Sequence, residues 1–292
     1  MLKSSNPAWK AFEQPQRWDD AFGSPAAAAK PTTMTVGGTA QAAGIQLGCA
    51  LVGAMGGWYL VAEGILAGGL SMGVSLGIFA MLFIGGMIMA RKPQIAIVVG
   101  PILSALYGFF AGVMSYVVAL AVGAAMAKNP QLLGVDPASL TADQLRAAVV
   151  SAGAGVVFQA ILLTIAVAGI TLVASATGLI RIGNTAAKVI MFATGAVMLV
   201  YVLGMVLRLV GFGGIPLIHE AGPVGIAFSG FVVLLAAFNL IMSYQNVREG
   251  VAAGLPKFME WYAGYAIVST IIWLYIEILW LLYKLYVMFN RE

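Results

Sequence analysis

Apolar residues run along this chain in long blocks separated by short polar breaks. Blocks near twenty residues match the ~30 Å hydrocarbon thickness that one helix must cross, at 1.5 Å rise per residue. The blocks predict seven helices, at about 42–62, 70–90, 97–126, 148–174, 186–207, 224–243 and 262–287. Arg91-Lys92-Pro93 stops the second and Lys128-Asn129-Pro130 follows the third. Only Glu63 and glycines 64, 68 and 69 divide the first from the second. In the polar stretch from Asn129 to Arg146, Thr141 is placed to cap a short helix at 142–147. Before the first block, Met1 to Ala40 is polar and broken by Pro7, Pro15, Pro25 and Pro31. It lacks the early apolar segment of a signal peptide. The expected organisation is a disordered tail over 1–40 and a seven-transmembrane-helix bundle over 41–292, an all-α membrane protein.

Composition sharpens this picture. Hydrophobic residues make up 61% and charged residues 9%, with mean hydropathy +0.97. A soluble domain is about 25% charged, so the partner these surfaces need is a lipid bilayer. The net charge of +4 shows no basic patch with interleaved aromatics, so nucleic acid is not an expected partner. With one cysteine, Cys49, and one histidine, His219, neither an intrachain disulfide nor a thiolate–imidazole metal cluster can form. No cofactor and no metal is expected.

Basic residues orient the bundle. If the chain crosses seven times, Lys3, Lys10, Arg17, Lys30, Arg91, Lys92, Arg181, Lys188, Arg248 and Lys257 share the N-terminal side. Lys128, Arg146, Arg208, Lys284 and Arg291 fall on the other. Ten against five places the N-terminus in the cytoplasm. Gly69, Gly73 and Gly77 in the second helix, and Gly108 and Gly112 in the third, recur every four residues, as closely packed helices require.

One residue breaks the last apolar block. Glu277 lies in Ile272-Trp273-Leu274-Tyr275-Ile276-Glu277-Ile278-Leu279-Trp280. An ionisable side chain at a membrane helix centre costs at least ~2.5 kcal/mol, so it must face a bundle interior, a water pocket or a partner. On the sixth helix Asn239, Ser243 and Asn246 stand at i, i+4 and i+7, one polar face. Those groups are expected to satisfy Glu277 in its neutral form, and the four residues form a candidate proton- or cation-sensing site. Ser269, Trp273, Glu277 and Trp280 share a face of the seventh helix, with Lys284 two turns on from Glu277. His219, beside Glu220 in a Gly/Pro-rich connection, is a candidate pH-sensing loop residue, although a plain loop hydrogen bond is the simpler role. Gln159 is expected to bond a neighbouring helix, and Glu260 to sit favourably at the start of the seventh helix. Gly-x-Ser-x-Gly, His-Glu-x-x-His and phosphate-loop patterns are missing, so no enzyme activity is expected.

Several segments together resemble the Bax inhibitor-1/YccA family, particularly its bacterial branch. They are Ser5-Asn6-Pro7, Met34-Thr35-Val36-Gly37-Gly38-Thr39-Ala40, Phe192-Ala193-Thr194-Gly195 and Ile218-His219-Glu220-Ala221-Gly222-Pro223. The strongest are Pro256-Lys257-Phe258-Met259-Glu260-Trp261-Tyr262 and Trp273-Leu274-Tyr275-Ile276-Glu277-Ile278-Leu279. The resemblance implies a seven-helix protein of the bacterial plasma (inner) membrane. It also implies a pH-sensitive calcium leak, stress protection, or modulation of a membrane-bound AAA protease. The leak is tied to two buried carboxylates, one from each of the last two helices, which cannot both ionise cheaply. Glu277 matches the second acid. The first falls at Ser243-Tyr244-Gln245, and a further acid in the third helix is replaced near Ala111. The two-carboxylate sensor is therefore incomplete. The leading expectation is a modulator or partner of a membrane protease or stress-response complex. The alternative is a leak for calcium or protons with a single-carboxylate sensor.

Overall fold

The computed structural model describes residues 32–66, 69–127, 139–211 and 220–289. The chain divides at Thr33, and Thr33–Glu292 forms one unit. Nearly all of the expected tail, residues 1–31, lies outside the described residues, as does His219.

Among the described residues this unit holds seven α-helices: α1 Val36–Ala62, α2 Gly69–Arg91, α3 Ala96–Met126, α4 Ala142–Ala176, α5 Asn184–Leu209, α6 Pro223–Ala252 and α7 Met259–Phe289. A single 3-10 turn, Pro93–Ile95, leads into α3. Among the described residues, six helices are long and apolar enough to cross a membrane. In α2 the stretch that qualifies as apolar, Leu76–Arg91, is shorter.

The helix ends have local causes. Thr35 caps α1, its Oγ1 accepting from Gly38 N at 2.9 Å. Thr141 and Gln144 form a reciprocal capping box, with Thr141 N to Gln144 Oε1 at 3.0 Å and Gln144 N to Thr141 Oγ1 at 3.3 Å. That cap starts one continuous helix of 35 residues, not a short helix followed by a separate span. α1 begins at Val36, so residues 36–40 are helix rather than tail. α6 runs to Ala252, past the apolar block, because Tyr244 to Val251 carries no proline. Gly254, at φ 64°, then ends it: Leu255 N bonds Gly250 O at 3.0 Å and Gly254 N bonds Val251 O at 3.1 Å. That pattern needs a left-handed residue just past the helix.

Backbone approach organises the interior. A Cβ on Gly53 or Gly57 of α1 would strike the carbonyls of Ala105 or Phe109. One on Gly108 or Gly112 of α3 would strike those of Ala50 or Ala54. Gly123 and Gly153 lock α3 to α4 in the same reciprocal way. Gly73 and Gly77 of α2 do not follow suit, since they face open space. Around this frame α7 packs on α1, α3, α4 and α6, burying Val268, Leu274, Ile278 and Leu279. Outward faces stay apolar, with Val52, Phe192 and Ile170 about 70% exposed (71%, 72% and 70%). Hydrocarbon, not water, suits such a surface.

The helix ends alternate between two sides. Met34 N bonds Leu255 O at 2.6 Å, and Thr33 bridges Pro256, so α1 and α7 start together. Met89 at the end of α2 and Ala96 at the start of α3 pack with Trp261, Tyr262 and Tyr265 at the start of α7. On the opposite side, Arg146 near the start of α4 donates to Val61 O at the end of α1 (3.0 Å) and to Tyr116 Oη (3.0 Å).

Candidate functional site

Glu277 lies on the inward face of α7 with 4% of its surface exposed. Its Oε1 accepts two hydrogen bonds, from Tyr201 Oη of α5 at 2.8 Å and from Trp273 Nε1, one turn back on α7, at 3.0 Å. Tyr201 is held in turn by edge-on packing against Phe228 of α6, with centroids 6.5 Å apart at 78°. A carboxyl in an apolar bundle is thus tolerated through directed donors.

The polar face of α6 does not supply those donors. Asn239 Nδ2 bonds Thr194 Oγ1 of α5 and its own helix at Leu235 O, both at 2.8 Å. Ser243 Oγ bonds Asn239 O at 2.9 Å. Asn246 is exposed. The expected Glu277–Ser243 or Glu277–Asn239 contact is therefore replaced, because the Asn239 amide is engaged by α5 and a tyrosine of α5 reaches the carboxyl. Trp280 pairs edge-on with Tyr283, centroids 5.5 Å apart. The position where the resemblance expects a third-helix acid, Ala111, is buried among Ala50, Val268 and Ile272.

Two features escaped the sequence reading. The first is Lys284. Counted there among surface charges, it is 5% exposed, and its Nζ donates to Ser229 Oγ at 2.8 Å and Gly225 O at 3.1 Å. It is seven residues from Glu277, roughly 10 Å along the axis, so both ionisable side chains line one interior face of α7. That spacing was legible, but the side chain's direction depends on the first turns of α6.

The second feature joins the two ends of the described chain. Glu260 is 4% exposed. Its Oε1 accepts from Thr35 N at 3.0 Å and Thr35 Oγ1 at 2.9 Å. The carboxyl occupies the space a Cβ on Gly38 would take. It therefore serves the N-terminus of α1 as well as that of its own helix. Beside it, Gln46, fully buried, donates Nε2 to Trp261 O at 2.9 Å and accepts from Ser104 Oγ at 3.2 Å. The segments 34–40 and 256–262, 222 residues apart at their first positions, thus form one polar knot tying α1 and α3 to α7.

Among the described residues, no three His, Cys, Asp or Glu side chains gather to hold a metal ion. Gln159 is exposed at the middle of α4, with no hydrogen-bond partner among the described residues, so the expected bond to a neighbouring helix is not made there.

A bundle of apolar helices with a few bonded polar groups inside is the interior of a multi-pass membrane protein. The family described as Bax inhibitor 1 like matches residues 6–286, and the chain belongs to it. No curated protein and no solved structure matches the chain.

Proposed function

We propose that this protein is a seven-span member of the family from a bacterial plasma membrane, with a cytoplasmic N-terminus, of the YccA-like branch. It acts as a partner or modulator of a membrane-bound protease or stress-response complex rather than as an ion path. The observation that carries this reading is the closure of the one matching acid. Glu277 Oε1 is taken by Tyr201 and Trp273, and the position of a second acid is Ser243, bonded to its own helix. A carboxylate pair that shares a proton or a cation needs two acids in reach, and among the described residues no second acid bonds Glu277 or replaces Ser243 beside it.

The topology part rests on parity. α1 and α7 start on one side, bridged at Thr33 and Pro256, which requires an even number of crossings between them. Counting α2 gives six. Burial of Lys284 removes it from the loop charges, leaving ten basic residues against Lys128, Arg146, Arg208 and Arg291.

The test is calcium entry into proteoliposomes holding the purified chain, read between pH 6 and 8, with photo-cross-linking in native membranes alongside. Entry is expected to equal that of protein-free vesicles, and cross-linking is expected to trap a membrane protease or an associated subunit. Entry well above background that Glu277→Gln abolishes replaces this reading with the leak.

A further inference from the structure

We infer that the outer face of α4 is a docking surface for a second copy of this chain, with Gln159 at its centre. The carrying observation is an amide in the wrong solvent. Gln159 sits at the middle of the 35-residue helix Ala142–Ala176. Its side chain is exposed and has no hydrogen-bond partner among the described residues. Phe158 and Leu162 beside it are 61% and 50% exposed, so the surroundings are hydrocarbon. Lipid tails offer no hydrogen bonds, and an unsatisfied amide there is costly. In a bilayer such groups bind helices together.

The face around it has the shape such contact needs. Ser151, Gly155 and Gln159 follow one another at four-residue spacing, one row along the helix. A Cβ added at Gly155 would meet nothing within 4 Å. Toward the Thr177 end, the same face of the helix leads to an open apolar groove of about 460 Å³, lined by Ala166, Gly169, Ile170 and Val173 among others. Small residues beside a polar one let two backbones come close enough for the polar groups to bond.

The amide itself names the occupant. It carries two donors and an acceptor, so two glutamines can satisfy each other reciprocally. A lipid chain would leave both unbonded. Copies of one chain insert in the same orientation, so a two-fold axis along the membrane normal brings Gln159 against Gln159 and α4 parallel to α4.

The experiment uses the full chain in proteoliposomes, with the lone Cys49 replaced by Ser. Gln159→Cys is expected to oxidise to a disulfide-linked dimer. Phe192→Cys, on the outward face of α5, is expected to stay monomeric at the same protein-to-lipid ratio. In parallel, energy transfer between donor- and acceptor-labelled chains is titrated against lipid. Gln159→Leu is expected to weaken association by roughly 3- to 20-fold, with unchanged helix content, while Gln159→Asn retains most of it. The proposal is overturned if Gln159→Cys cross-links no faster than Phe192→Cys, or if Gln159→Leu associates as tightly as the parent. In native membranes, a Gln159→Cys adduct made only with a different protein overturns the choice of a second copy.

Discussion

The Tyr201 hydroxyl and the Trp273 indole share one acceptor, Glu277 Oε1. Removing that acceptor strands two donors in an apolar interior, at ~1–3 kcal/mol each. Glu277→Ala is therefore expected to lower stability by about 2–5 kcal/mol, read from unfolding in bicelles. Glu277→Gln keeps an amide oxygen for both donors and is expected to cost below ~1 kcal/mol. Equal damage from the two substitutions would mean that the carboxyl does more than accept these bonds. Glu277 was legible in the sequence because an acid stands out in an apolar block. Its partner was not, since Tyr201 lies 76 residues away on a helix whose rotation no local pattern records. The same limit hid the meeting of Thr35 with Glu260, although both segments drew notice separately.

At the scale of elements, block length in an apolar sequence reports helices well because hydrocarbon thickness sets it. It reports their ends poorly. α1 starts six residues before its apolar block and α6 outlasts its own by nine, because caps and left-handed glycines, not hydropathy, decide termini. Glycine spacing was equally ambiguous. The four-residue rows on α2 and α3 look alike, yet only the α3 row meets another backbone. This makes a clean comparison. Gly108→Ala drives a methyl into Ala50 and is expected to cost about 1–3 kcal/mol or more, as overpacking does. Gly48→Ala on α1 enters open space and is expected to stay within ~0.5 kcal/mol of the parent. Thermal unfolding in one detergent ranks the two, and similar midpoints would contradict so close an α1–α3 contact.

At the scale of the molecule, the helix with the shortest apolar stretch decides the topology. α2 is where the apolar signal is shortest, and without its crossing only five helices separate the start of α1 from the start of α7. An odd number would put those starts on opposite sides. The Thr33–Pro256 bridge and the Met34–Leu255 bond hold them on one. The knot of Thr35, Glu260 and Gln46 fixes the same neighbourhood through buried polar contacts. On the proposed seven-span topology, α7 carries the end of the described chain to the far side, where Lys284 meets the start of α6. The expected result follows for single-cysteine chains in the Cys49→Ser background, labelled with a membrane-impermeant maleimide. In right-side-out vesicles Asn290→Cys should react at once. Ala26→Cys should react only after the membrane is opened, as the surplus of basic residues on its side requires. Reaction of both from one side would break the parity, and with it either the crossing of α2 or the bridge that joins α1 to α7.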